Sequence, residues 1–197
     1  IAKAKETALG TKESKKFGAL SGKLSNCSSK KPEECELFII EGQSALSTVK
    51  TARNPLYQAI FSLRGKVLNT EGLTMDKILE NLEFRELIQC LETGIEEDFN
   101  INKLRYNKIV IATDSDFDGS YIRLGVLTFF VRHMPDLVRN GHIYFAESPL
   151  FKVITKKQTI YCKNKKVLDA TLPKIKGEYQ IKRFKGLGEM NADDFRD

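Results

Sequence analysis

The run KIVIATDSDFDGSYIR (108–123) narrows the possible folds more than any other part of the chain. Its first half is apolar without alternation, which suits a strand buried on both faces, as in a parallel sheet covered by helices. The strand then runs into Asp114, Asp116 and Asp118, three aspartates within five residues. At about 6 Å a pair of carboxylates repels by roughly 0.7 kcal/mol in water and by about 3 kcal/mol at an effective dielectric of 20. A cluster of this kind at a strand end calls for a positive partner.

Further strands are expected at LFII (37–40), closed by Glu41-Gly42, at QAIFSL (58–63) and at HIYFAE (142–147). Helical patterns fall between them. One follows Ser44, a suitable N-cap. Another runs from Met75 to Leu91 with apolar residues at 75, 78, 79, 82, 87, 88 and 91, and breaks near Asn81. A third, over 120–133, is apolar nearly all round and reads as an interior helix. Strands alternating with helices predict right-handed crossovers and an α/β fold with a mostly parallel sheet flanked by helices. After Pro149 the style changes. FKVIT and TIYC flank Lys156-Lys157-Gln158 as a β-hairpin, EYQIKRF (178–184) is one more strand, KGLGEM is a glycine turn, and Asn191 caps a helix cut short by the end of the sequence.

The 197 residues, 41% hydrophobic and 29% charged, suffice for one good core plus extensions. No apolar run approaches the length of a membrane span, and no charged-then-apolar leader opens the chain. The sequence opens at Ile1 without Met and stops after Asp197, so it reads as a piece of something longer. Cys27, Cys35, Cys90 and Cys162 form no CxxC pair, and with only His133 and His142 beside them a structural zinc site is not expected. Reduced thiols in a cytosolic protein are the simplest reading. Residues 1–31 hold eight Lys against Glu6 and Glu13, which accounts for the whole net charge of +6. This segment (1–34) reads as a basic linker, with a short helix near 1–8, and its charge favours a polyanionic partner. GALSGKL (18–24) resembles a phosphate loop, but it is one residue short between glycines and has Leu24 where Ser or Thr is needed.

Ligands of open parallel sheets collect beyond the carboxyl ends of the strands. Glu41 ends one such strand and Asp114 and Asp116 follow another, so the three can share a site. Hard oxygen donors of this sort suit Mg²⁺, which takes a few carboxylates and retains several waters. DSDFDG also opens like an EF-hand loop, but position twelve would be Gly125 where a bidentate Glu is required, and a strand precedes it. A solvated acidic turn, with Asp118-Gly119 capping the next helix, remains open for Asp118. SLRGKVLNT sets Arg64, Lys66 and Asn69 just past a strand end, and Lys182, Arg183 and Lys185 sit beside KGLGEM. Cations so placed position a phosphate backbone, although ordinary surface turns carry them too.

Taken together, LFIIEGQSA, QAIFSLRGKVLNT, KIVIATDSDFDGSYIR, LTFFVRHMPDLVRNGHIYFAESPLFKV and RFKGLGEM resemble, in order and spacing, the B subunits of bacterial type IIA topoisomerases, from about Lys23 onward. The resemblance implies a Toprim domain (Rossmann-like) over 35–150, the start of a C-terminal tail region with a β-hairpin over 151–197, and a lead-in from ATPase and transducer domains before 35. It implies catalytic roles for Glu41, Asp114 and Asp116, with Glu41 and Asp114 holding one Mg²⁺, Asp114 and Asp116 a second, and Asp118 completing the metal set. It places Lys66, Asn69 and Arg64 against double-stranded DNA. It implies an A-subunit partner in an A2B2 heterotetramer, whose tyrosine is the nucleophile, with ATP bound only in the N-terminal domain. Cytoplasmic location and no membrane partner follow from the same likeness, and the wording of ESPLFKV, TIYC and RFKGLGEM leans toward topoisomerase IV over gyrase.

The chain departs from the family pattern in three places. EGQSALSTVK stands where the family reads EGDSAGGSAK, so Gln43 replaces an acid and Leu46 and Ser47 replace glycines, while Tyr121 takes the place of a His. Gln43 removes a negative charge in the neighbourhood where, by resemblance, quinolone drugs act. Two other functions stay open: another Toprim enzyme, a primase or nuclease, and a degenerate paralogue that binds DNA or a partner without cleaving.

Overall fold

The computed structural model describes residues 22–42, 45–65, 67–114 and 116–196. The elements, in chain order, are β1 (Leu24–Ser25), β2 (Glu36–Glu41), α1 (Leu46–Ala52), β3 (Gln58–Leu63), α2 (Met75–Glu80), α3 (Leu82–Leu91), β4 (Lys108–Ala112), α4 (Phe117–His133), α5 (Pro135–Arg139) and β5 (Ile143–Phe145). After them come β6 (Phe151–Thr155), β7 (Thr159–Cys162), α6 (Lys165–Thr171), β8 (Tyr179–Arg183) and α7 (Ala192–Arg196). The expected short helix near 1–8, the Ser44 cap and Lys66 lie outside the described residues.

Five strands form one sheet in the order β1-β3-β2-β4-β5, with β2, β3, β4 and β5 mutually parallel and β1 antiparallel at the edge. Leu24–Ser25, in the stretch that composition assigns to the linker, thus pair with Phe61 and Ile60, and Lys23 and Cys27 beside them are buried. The apolar strands work as their sequence requires, because successive residues point to opposite faces. Leu37, Ile39, Phe61, Ile109 and Ile111 enter the larger core with Phe84, Leu87, Phe129 and Phe130. Ile40, Ile60 and Ala112 enter a second core on the other face with Val49, Phe184, Leu187 and Met190. Phe84 of α3 stacks on Phe129 of α4 with ring centroids 4.5 Å apart.

The break near Asn81 is real. Asn81 ends α2, and its carboxamide oxygen accepts from the Glu83 and Phe84 N–H groups to start α3. α4 departs from its expected interior position. Gly119, Ile122, Val126, Phe129 and Phe130 are buried, whereas Phe117, Tyr121, Leu124 and Val131 are exposed. Uniform hydrophobicity hides which face packs, since a helix against one sheet covers only one stripe.

The tail forms a separate antiparallel sheet, β7-β6-β8. The hairpin turns at Lys156–Gln158 and closes through Thr155 N–H to Gln158 O at 2.9 Å. Asn191 accepts from Asp194 N–H at 2.9 Å and begins α7. Among the described residues no helix is long and apolar enough to cross a membrane.

Candidate metal centre at the strand tips

Parallel register fixes where the acids meet. Ile40 pairs with Ala112 and Glu41 with Leu63, so Glu41, the turn after β4 and the start of SLRGKVLNT emerge side by side at one edge. Glu41, half-buried, accepts a hydrogen bond through Oε2 from the Asp114 N–H at 3.3 Å. The acidic loop therefore docks onto Glu41 through its backbone. Burial pushes the Glu41 carboxyl up; the Asp114 N–H pulls it down, and the charges of Asp114, Asp116 and Asp118 push it up again, with a net rise above the usual glutamate range. All three aspartates consequently act on Glu41, which lies 73 residues before Asp114 in the chain.

Each aspartate has its own surroundings. Asp114 turns its carboxylate to the KGLGEM turn, where Oδ1 accepts from the Leu187 N–H at 2.6 Å. The turn comes so near that a Cβ on Gly186 would sit 2.7 Å from Asp114 Cγ. Gly119 is under the same constraint, because its Cβ would lie 2.8 Å from the Asp114 carbonyl carbon. Asp116 is exposed and caps α4, accepting from Gly119 N–H at 2.8 Å. The cap is Asp116, not Asp118; Asp118 lies exposed in the first turn of the helix, favourable for a negative charge at a helix N-terminus.

With Asp114 and Asp116 each committing one oxygen to a backbone N–H, no three acidic or other metal-ligating side chains converge on one point among the described residues. The donor chemistry still fits Mg²⁺, a hard cation satisfied by one or two carboxylates with water in its other positions. Glu41 and Asp114, joined by the 3.3 Å contact, form the pair nearest to that requirement.

Two of the residues expected to face DNA, Arg64 and Asn69, follow β3. Arg64, exposed directly after β3, donates its backbone N–H to Glu83 Oε2 at 3.1 Å. Glu83 in turn is paired with the buried Lys23 at 2.5 Å, and Glu86 lies 2.9 Å from the same ammonium. Asn69 is exposed, its side-chain oxygen accepting from Glu71 N–H at 3.0 Å in a local turn. Sequence reasoning did not foresee that the KGLGEM turn would hold Asp114, nor that Thr113 would accept from Arg123 at 3.3 Å. The two glycines of GLG were the available signal for the first, and nothing local signals the second. A cavity of about 840 Å³ adjoins this edge on the α1–α7 face, lined by Phe38, Ile40, Ala112, Tyr161, Leu187 and Met190 among others and by none of the four acids.

Comparison with known proteins agrees with this architecture. The Toprim domain model matches residues 36–148. The DNA gyrase B subunit of Staphylococcus aureus is 49% identical over 181 residues, covering 89% of this chain and 28% of that protein. The corresponding gyrase B subunit of Staphylococcus epidermidis is 48% identical over 177 residues, with the same coverage. The chain thus spans about 28% of the length of these relatives. A parallel sheet with acids at its strand tips, matched by the domain model over more than half its residues, places the chain in the Toprim family, among the Toprim regions of type IIA topoisomerase B subunits.

Proposed function

We propose that this chain is the Mg²⁺-dependent DNA cleavage and religation module of a type IIA topoisomerase, working with an A subunit that supplies the nucleophilic tyrosine. The observation that carries the reading is the meeting of Glu41 with the Asp114–Asp118 loop across neighbouring strand tips. In this reading residues 35–150 are the Toprim domain and 151–197 the start of the tail. Glu41 and Asp114 hold one ion, Asp114 and Asp116 a second, and Asp118 adds charge beside them. Bound there, Mg²⁺ supplies charge stabilisation for the attacking and leaving oxygens of an in-line phosphoryl displacement. Arg64, Lys66 and Asn69 position the DNA backbone at the same edge, and Lys182, Arg183 and Lys185 extend the positive surface, without reading bases. Phe117, between Asp116 and Asp118, makes with Tyr121 and Leu124 an exposed apolar stripe at helical spacing, suited to the A subunit. ATP hydrolysis belongs to the N-terminal domain of the full-length protein.

The test is reconstitution of the full-length protein with its A subunit, Mg²⁺, ATP and supercoiled or linked DNA. Relaxation and decatenation support topoisomerase IV, toward which the motif wording leans; ATP-driven negative supercoiling supports gyrase, the name its relatives carry. Asp116→Asn keeps a good capping side chain while removing the charge. It is expected to abolish cleavage with the fold intact, and unchanged cleavage refutes the metal role of Asp116. A second reading, a paralogue that binds DNA or a partner without cleaving, is favoured by Gln43 and by the engagement of Asp114 and Asp116 with backbone groups. It predicts no transient cleavage in the same assay.

A further inference from the structure

Far from the acidic edge, at the base of β2, two thiols share one guanidinium. Cys27 Sγ donates to Cys35 Sγ at 3.5 Å, with both residues buried. Arg105, itself 9% exposed, reaches Cys35 Sγ at 3.2 Å through one terminal nitrogen. Its other nitrogen reaches Cys27 Sγ at 3.6 Å and the Ser29 carbonyl at 2.7 Å. Among the described residues this permanently charged side chain directs its hydrogen bonds to sulfur and a carbonyl, with the Glu92 carboxylate acting on it only through space. A neighbouring cation favours the thiolate, the form of cysteine that acts as nucleophile.

We propose that Cys27 and Cys35 are an oxidisable dithiol that closes to a disulfide, with a hydroperoxide as electron acceptor. From 3.5 Å the sulfurs must approach by about 1.5 Å to reach disulfide bonding distance. Cys35, which takes the shorter guanidinium contact and donates its thiol proton to the Lys31 carbonyl at 3.2 Å, attacks the terminal peroxide oxygen; the O–O bond breaks and the departing hydroxide takes the thiol proton, giving a sulfenic acid and water. The Cys27 sulfur then displaces that oxygen, forming the S–S bond, and the thiol protons leave in water. With hydrogen peroxide the balance is two thiols and one peroxide to one disulfide and two waters. Burial raises the Cys27 thiol, which fits its role as the second, resolving sulfur. Cys35 has no exposed surface, so peroxide access requires opening of the Ser28–Glu34 segment, which is mostly exposed but tied to the Pro55 and Leu56 carbonyls by the Ser28 and Ser29 N–H groups. The other thiols serve as internal controls. Cys90 has Tyr106 Oη at 3.9 Å and is pushed up to about 12 by burial; Cys162 has Thr171 Oγ1 at 3.9 Å.

The experiment treats the folded protein with hydrogen peroxide, removes the peroxide, denatures the protein, alkylates the remaining thiols and maps the peptides by mass spectrometry. The expected result is a Cys27–Cys35 cross-link two hydrogens lighter than the dithiol, with loss of two alkylatable thiols and Cys90 and Cys162 still alkylated. In Cys27→Ser the cross-link is lost and a dimedone adduct appears on Cys35 instead. In Arg105→Lys, which retains a cation, the cross-link persists, whereas in Arg105→Gln it forms more slowly. All four thiols remaining alkylatable at peroxide levels that cross-link the denatured chain overturns the proposal, as does oxidation of Cys90 or Cys162 ahead of the pair.

Discussion

The two sheets of this molecule are built to different standards. The parallel sheet is packed on both faces, and Leu37, Ile39, Ile60, Phe61, Ile109 and Ile111 have no exposed surface. The antiparallel tail sheet rests on a small core of Val153, Cys162 and Leu168, and all five residues of β8 are exposed. Yet the segment after β8 crosses back. Phe184, Leu187 and Met190 fill the second face of the parallel sheet, and the Leu187 N–H fixes Asp114. Stability thus resides in one sheet, while the aim of a key carboxylate depends on a turn delivered by the other. Variants can separate the two properties.

The largest effect is expected from Phe129→Ala, which removes a fully buried ring stacked on Phe84 and should cost about 3–5 kcal/mol in chemical denaturation. Ile181→Ala in β8, where the side chain is 46% exposed, should stay within about 0.5 kcal/mol. Equal losses at the two positions would erase the contrast between the sheets.

Gly186→Ala should do the reverse, sparing stability and damaging function. Gly186 has extended backbone, φ −165°, which alanine adopts freely, so the obstacle is the Asp114 carboxylate alone. A carboxylate can rotate away at small cost, and Asp114 then loses its aim. With Asp114 in the role proposed above, cleavage by the reconstituted enzyme should fall by up to about a hundredfold, as a displacement of about 1 Å can cost, with an unfolding midpoint close to wild type. Wild-type cleavage in this variant would show that the tail turn does not position the site.

Legibility in the sequence follows the same division. The parallel strands could be read almost to the residue because burial on both faces imposes an unbroken apolar run, and Glu41 and Asp114 could be paired because parallel register brings strand ends together. What stayed hidden depends on a side chain meeting remote backbone or a remote side chain. Leu187 N–H on Asp114, Lys23 buried between Glu83 and Glu86, and Arg105 over Cys27 and Cys35 leave no periodic mark. β1 escaped for a related reason: two residues in a Lys- and Ser-rich stretch carry too little pattern to announce a strand. The exposed face of α4 escaped because its apolar residues run all round the helix.

The smallest expected effect, in pH, sets the two regions against each other through one acid in each. Glu41 is raised in the folded state, by burial and the three aspartate charges, so its ionisation opposes folding. That opposition is absent below the ordinary glutamate value and sets in as pH rises through the raised one. Asp194 has the opposite sign. Burial alone would raise it, but the Lys152 ammonium, the Asn191 N–H and the Tyr161 hydroxyl outweigh burial and hold it low. Its contribution is present above the ordinary aspartate value and disappears as pH falls toward the lowered one. On acidification without Mg²⁺, Glu41 should add to Tm as it takes a proton, on the order of 1 °C because solvent screens a half-exposed carboxylate, and Asp194 should subtract from it at lower pH. Burial also raises Glu92 and lowers His133, so the Glu41 share is read as the difference between wild type and Glu41→Gln. Glu41→Gln keeps an oxygen to accept the Asp114 N–H but removes the charge, so it should lack the Glu41 share of the gain and keep the later drop. In the proposed site Mg²⁺ should raise Tm at neutral pH, and Glu41→Gln should shrink that rise, since a cation relieves the same repulsion as the proton. An undiminished Mg²⁺ effect in Glu41→Gln would mean that the ion is held without Glu41.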